Sequence, residues 1–142
     1  MNIKAPVLVT ILVVCAEVSL AQQTGIAKIQ KEKCGEDNKC LVLALVSNGH
    51  YNDEDMKKLT LNLSARYKDR DVVNLDIFDN ADLIQAFIDG KRNPNQIQSD
   101  RMAYYLHDKK CGDILFYKTA EGKVGVNRSA WNDAACKQGI SF

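Results

Sequence analysis

Ser47, His50 and Asp79 supply a hydroxyl, an imidazole and a carboxylate. Those groups activate a nucleophile when the base touches the hydroxyl and the acid orients the base. They lie in Ser47-Asn48-Gly49-His50-Tyr51 and Asp76-Ile77-Phe78-Asp79-Asn80, at the ends of two apolar runs. No Gly-x-Ser-x-Gly elbow surrounds Ser47, and no oxyanion donor is identifiable. The plainer reading makes Ser47, Asn48 and Gly49 a turn and makes Asp79 or Asn80 a helix cap. A third reading is a binding edge formed by Asn48, His50, Tyr51, Asp79 and Asn80, with no reaction attached. The enzymatic alternative is a small secreted hydrolase using His50 with Ser47 and Asp79.

His107 is the only other histidine, so acid–base work by two imidazoles requires both. If the strand ending at His107 runs antiparallel to the one ending before His50, the rings stand roughly 17–20 Å apart and cannot share a substrate. If it runs parallel, they come close; the sequence leaves the direction open. A thioredoxin-like dithiol needs Cys-x-x-Cys where the first strand meets the first helix, and Asn48-Gly49-His50-Tyr51 stands there instead. Asn52-Asp53-Glu54-Asp55 is acidic without the ligand spacing of a calcium loop. No metal and no cofactor is expected.

Cys34, Cys40, Cys111 and Cys136 remain once Cys15 is assigned to an export signal. No pair has the short spacing of structural zinc sites, and an even count in an exported domain reads as two disulfides. Three pairings are open. The turn-rich Cys34–Cys40 loop favours closure on itself, which leaves Cys111 with Cys136.

The elements that must position these groups follow from periodicity. Leu41-Val42-Leu43-Ala44-Leu45-Val46 is continuously apolar, as in a strand buried on both faces. Met56, Leu59, Leu63 and Tyr67 recur at helical spacing behind a cap at Asn52 or Asp53. Val72–Phe78 is a second strand. A second helix starts at Asp79 or Asn80, buries Leu83, Ile84, Phe87 and Ile88, and stops at Gly90. Gly90–Asp100 reads as a long polar loop around Pro94. Met102–Leu106, Ile114–Tyr117 and Val124–Val126 read as strands joined by turns, followed by a terminal helical turn near Trp131. Tyr104 and Tyr105 fall on opposite faces, one in the core and one exposed. The predicted fold is therefore α/β or α+β: a small mixed sheet covered by two helices, in the order β-α-β-α-β-β-β, stapled by disulfides.

Residues 1–21 have the grammar of a signal peptide: Lys4, an apolar Ala5–Ala16, and Ser19-Leu20-Ala21 before the cut. Twelve apolar residues reach only about 18 Å as a helix, short of the ~30 Å hydrocarbon core. No stable membrane anchor is expected, and Val14 before Cys15 is too large for a lipidation box. Cleavage after Ala21 removes 21 of 142 residues and leaves 121, enough for one domain. Residues 22–39 read as a polar lead-in, and 40–142 as a single compact domain. The formal charge of +1 gives no reason to invoke nucleic acid or an anionic membrane surface. Lys91-Arg92 and Lys109-Lys110 read as solvated surface. Asn62 and Asn127 match the N-glycosylation pattern, and Asn127 falls in an expected loop. The expected function is that of a secreted or periplasmic binding or interaction protein. Its partner is an extracellular protein or a small ligand, met at the Ser47–Tyr51 and Asp79–Asn80 edge or on the Gly90–Asp100 loop.

Overall fold

A computed structural model of the chain describes residues 27–47, 51–129, 131, 132, 134 and 136. The expected signal segment 1–21, and Asn48, Gly49 and His50 of the expected binding edge, lie outside the described residues. Six strands form one sheet in chain order: β1 (Ala27–Cys34), β2 (Lys39–Val46), β3 (Val72–Phe78), β4 (Ala103–Asp108), β5 (Gly112–Lys118) and β6 (Val124–Ser129). Only β2 and β3 are parallel; every other neighbouring pair is antiparallel. A parallel pair needs a crossover, and α1 (Asp53–Ser64) with a 3-10 turn at Ala65–Tyr67 supplies it. Two further helices, α2 (Ala81–Ile88) and α3 (Pro94–Asp100), lead from β3 to β4. The expected mixed, helix-covered and disulfide-stapled sheet is present, as an α+β arrangement. The crosslinks join Cys34 to Cys40 and Cys111 to Cys136.

The apolar run in β2 is explained by cover on both sides. Val42, Ala44 and Val46 pack into the cluster that holds Met56, Leu59, Leu63 and Tyr67 of α1 and its 3-10 extension. Leu43, between them in the chain, packs instead with Phe78 and with Ile84 of α2. All four α1-side residues named from the helical spacing are buried. On α2, Ile84 is buried, Leu83 and Phe87 pack against the same cluster, and Ile88 is exposed.

Each helix starts and stops where its local chemistry dictates. The Asn52 side chain accepts from the Asp55 amide at 2.8 Å, and the Asn80 side chain accepts from the Asp82 amide at 2.8 Å. Helix α2 ends in a Schellman motif, with Gly90 donating to the Phe87 carbonyl and Lys91 to that of Ala86. Gly90 has φ +68°, a conformation that glycine adopts without strain.

Several expectations are corrected. Ala27–Cys34, inside the expected polar lead-in, is an edge strand. Its side chains are mostly polar because β2 holds it through the backbone ladder and the Cys34–Cys40 crosslink, and it buries little itself. The expected loop Gly90–Asp100 contains α3, opened by Pro94 and by a reciprocal Asn93–Gln96 capping box. That helix buries no residue, so no apolar periodicity marked it, and the described residues hold three α-helices rather than the two expected. The last strand runs on to Ser129, which places Asn127 in β6 rather than in a loop. Tyr105 is buried as one of the two tyrosines had to be, but Tyr104 is only half-exposed. Its ring lies near Phe116 and its hydroxyl donates to Asn74 Oδ1 at 2.7 Å.

The strand direction left open by the sequence is antiparallel: β4 pairs with β3 so that His107 faces Val73, in the row of Cys40. Six residue steps along β2 take Cys40 to Val46, roughly 20 Å at about 3.3 Å per step. His107 thus stands at the opposite end of the sheet from Ser47 and Asp79.

One carboxylate sits in the middle of the sheet. Asp76 is 1 % exposed on β3, and its Oδ1 is ion-paired with Nε of Arg101, which follows α3. Neither atom has another hydrogen-bond partner among the described residues. The Arg101 guanidinium also lies 4.5 Å over the Tyr104 ring. Burial pushes the Asp76 carboxyl up to about 6, against the pull of Arg101 toward the charged form. The folded state therefore binds this proton more tightly than the unfolded chain, whose value is about 3.8. Stability from this group is full below about pH 4 and is lost as the pH rises to about 6. Urea unfolding should show it: from well below pH 4 to well above pH 6 wild type should lose on the order of 3 kcal/mol relative to Asp76→Asn. A difference that stays flat with pH contradicts the assignment.

Candidate functional site

Two clefts flank opposite ends of the sheet, and the sequence-derived residues divide between them. In open sheets with parallel pairs, ligands gather where the parallel strands end. Here β2 and β3 end side by side at Leu45 and Phe78. Leu45, Val46, Ser47, Asp79, Asn80 and Ala81 line one cavity there of about 450 Å³. The fold thus brings Ser47, Asp79 and Asn80 together, and Tyr51 joins them through Ser47.

The polar groups at this edge are not equivalent. The Tyr51 hydroxyl donates to the Ser47 carbonyl oxygen at 2.6 Å and lies 3.1 Å from Ser47 Oγ. A phenol has one proton, so across the 3.1 Å contact the serine donates and the tyrosine accepts. Ser47 therefore spends its proton on a phenol that cannot act as its base. Asn80 is committed as well, since its side-chain oxygen caps α2. Asp79 contributes an exposed carboxylate beside Asn80 at the mouth of the cavity.

Acidic side chains crowd this end because two helices start here. Asp53, Glu54 and Asp55 occupy the first turn of α1, and Asp82 that of α2. Carboxylates are stabilised at helix N-termini by the unpaired amides and the helix dipole. Asp53 Oδ1 also accepts from the Ala120 amide at 3.2 Å, which ties the β5–β6 turn to the start of α1. These carboxylates, with Asp79, suit a ligand that brings hydrogen-bond donors.

His107 lies in the other cleft, about 470 Å³ in volume, between residues 68–71, the β4–β5 turn and the start of β5. Its Nδ1 is 2.5 Å from Asp113 Oδ1, directly across the β4–β5 ladder. Sequence reasoning missed Asp113. The signal was present: the expected strands Met102–Leu106 and Ile114–Tyr117 flank one turn, and the register that pairs Leu106 with Ile114 also pairs His107 with Asp113. Burial, and then the Asp113 charge, push the Tyr105 hydroxyl up to about 12.

Potential metal ligands among the described residues converge only at Asp108, Cys111 and Cys136. Those two sulfurs are joined to each other, so they are not thiolate ligands. Among the described residues, no helix is long and apolar enough to cross a membrane. The disulfides fit an oxidising, non-cytoplasmic compartment. The chain matches no known protein family, no curated protein and no solved structure.

The Ser47–Tyr51 geometry makes a direct prediction about nucleophilicity. A fluorophosphonate probe, which labels serines activated by a base, should leave Ser47 no more modified than the corresponding site in Ser47→Ala. Selective labelling at Ser47, read by peptide mass spectrometry, would overturn that assignment of its proton.

Proposed function

We propose that the protein is a small exported binding module that takes a polar ligand where β2 and β3 end. The carrying observation is the convergence of Ser47, Asp79 and Asn80 on one cavity at the ends of the parallel pair. The acidic first turns at that edge and the Asp79 carboxylate favour a ligand rich in hydrogen-bond donors, such as a polyhydroxylated or amine-bearing molecule. Ser47 and Asn80 meet it as fixed polar groups, because both are held by their own hydrogen bonds.

Export is part of the reading. Residues 1–21 carry a signal-like pattern, and two disulfides suit an oxidising compartment. In that setting the domain works as a rigid platform: a doubly covered sheet below and a polar groove at one end.

The test is an amide chemical-shift titration of the mature domain with a panel of monosaccharides, amino sugars and diamines. At least one probe should shift Ser47, Tyr51, Asp79 and Asn80 saturably. Asp79→Ala should weaken that probe about tenfold or more, the scale of one lost charge-assisted hydrogen bond. If no probe moves these amides, or if Asp79→Ala binds as wild type does, the reading fails.

A further inference from the structure

Edge strand β1 carries Lys28, Lys31 and Lys33, a spacing that simple strand alternation does not place on one face. In an unbroken strand Lys28 would point away from the other two. The register removes that mismatch. Lys28 pairs with Leu45, Lys31 with Leu43 and Lys33 with Leu41, and a bulge between Ile29 and Lys31 takes up the extra residue. Leu41, Leu43 and Leu45 share the face that α2 packs against, so all three lysines stand on that face in one row. Their partners lie two residues apart on β2, which spaces the row at about 6.6 Å per lysine.

The row is exposed, and none of its three ammonium groups forms an ion pair among the described residues. The carboxylates of this end are used elsewhere. Glu32 falls on the α1 face opposite Val42, where it accepts from the Tyr67 hydroxyl at 2.9 Å. Asp37 pairs with Lys39 at 3.2 Å. Glu36 lies in the turn after Cys34, past the end of the row. Asp89, following α2, accepts from Gln85 at 2.8 Å and pairs with Lys91 at 3.1 Å. Gln85 and then Lys91 hold its carboxyl below the ordinary range, and Lys31 contributes last.

The same strand has an open side, since no strand among the described residues lies beyond β1. Cys34 and Cys40 stand 4.1 Å apart at Cα, the narrow kind of antiparallel pair, whose backbone amides and carbonyls point away from the partner strand. Alternation gives Glu32 the same orientation, and gives Lys31 and Lys33 the reverse. An incoming antiparallel strand would therefore bond to the backbone of Glu32 and Cys34. Lys31 and Lys33 would then fall in its narrow pairs, where side chains approach most closely. A second β1 is a poor occupant: paired about Glu32, it would set Lys31 against Lys33.

We propose that β1 is a docking edge for an extended acidic segment of a partner protein, which adds as a further antiparallel strand and sets Asp or Glu side chains beside Lys31 and Lys33. Lys28, beyond the bulge, continues the row toward a further acid. Same-face side chains of an extended chain repeat every ~6.6 Å, the period of the lysines, so partner and edge match in spacing as well as in sign. No residue of β1 lines the cavity at Ser47 and Asp79, and the docking edge does not depend on that cavity binding a ligand.

The test is an amide chemical-shift and hydrogen-exchange titration of the protein with an octapeptide of alternating Glu and Thr. Its block isomer, all Glu and then all Thr, has the same charge without the spacing. The alternating peptide should shift the Lys31, Glu32 and Lys33 amides saturably and slow exchange at Glu32 and Cys34 about tenfold or more. Added salt should weaken it, and the block isomer should bind severalfold less tightly. Lys31→Gln with Lys33→Gln should weaken the alternating peptide about fivefold or more. The charge-matched Lys109→Gln with Lys110→Gln should leave it unchanged, and the Ser47 and Asp79 amides should stay still throughout. The proposal is overturned by the absence of a saturable shift, by equal binding of the two isomers, or by wild-type affinity in Lys31→Gln with Lys33→Gln. Unslowed exchange at Glu32 and Cys34 in the complex also overturns it. So does tighter binding of a sulfated oligosaccharide or of anionic vesicles to the same row, which would make the partner a polysaccharide or a lipid surface.

Discussion

Everything in this domain hangs on the parallel pairing of β2 with β3. That pair is covered on both faces: Val42, Ala44, Leu75 and Ile77 on one face are 0 % exposed, and Leu43 and Phe78 on the other are 1 % exposed. With no water within reach, each backbone amide and carbonyl there must bond to a neighbouring strand. The parallel register forces a crossover helix, and α1 supplies it on one face. The chain then leaves β3 on the other face, where α2 covers Leu43 and Phe78. Both helices must start at the same end of the sheet, which is why capping asparagines, acidic first turns and the groove at Ser47 and Asp79 collect there.

The ends of the sheet consequently differ in character. At the carboxyl ends of β2 and β3 the chain presents helix starts and carboxylates. At the other end it presents the Cys34–Cys40 hairpin closure, the 68–71 connection and the His107–Asp113 pair. A sheet about six residues deep keeps these ends roughly 20 Å apart. That distance excludes a shared active site between His107 and the Ser47 edge, and it leaves room for two separate clefts. The buried ion pair of Asp76 with Arg101 belongs to neither. It anchors the segment after α3 onto the middle of β3, where Arg101 also lies over Tyr104.

The central elements were legible because burial writes itself into periodicity. The unbroken run Leu41–Val46 and the spacing Met56, Leu59, Leu63, Tyr67 each had one physical solution, and the structure has that solution. Asn52, Asn80 and Gly90 were readable because caps depend on one or two residues. What could not be read had little apolar content to announce it. Strand β1, with Lys28, Lys31 and Lys33, is held by its ladder and its crosslink. Helix α3 is mostly polar, with Ile97 its one aliphatic side chain, although Asn93, Pro94 and Gln96 did spell a helix start. The site was legible in part. Ser47, Asp79 and Asn80 follow from the rule that parallel strand ends form sites, whereas the Ser47–Tyr51 bond and the Asp76–Arg101 pair depend on side-chain directions and on a contact spanning 25 residues.

Native-state hydrogen exchange tests the dependence on β2 and β3 most directly, because it ranks each amide by the opening that exposes it. If the parallel pair holds the fold, the amides of Val42, Ala44, Leu75 and Ile77 should exchange only through global unfolding, with the largest protection in the domain. Those of Ser47, Asp79 and Asn80 should open locally, at a small fraction of that free energy. Should β2 and β3 instead open before the antiparallel β4–β5 hairpin, the parallel pair would not be what holds the fold, and the groove at Ser47 and Asp79 would not owe its place to it.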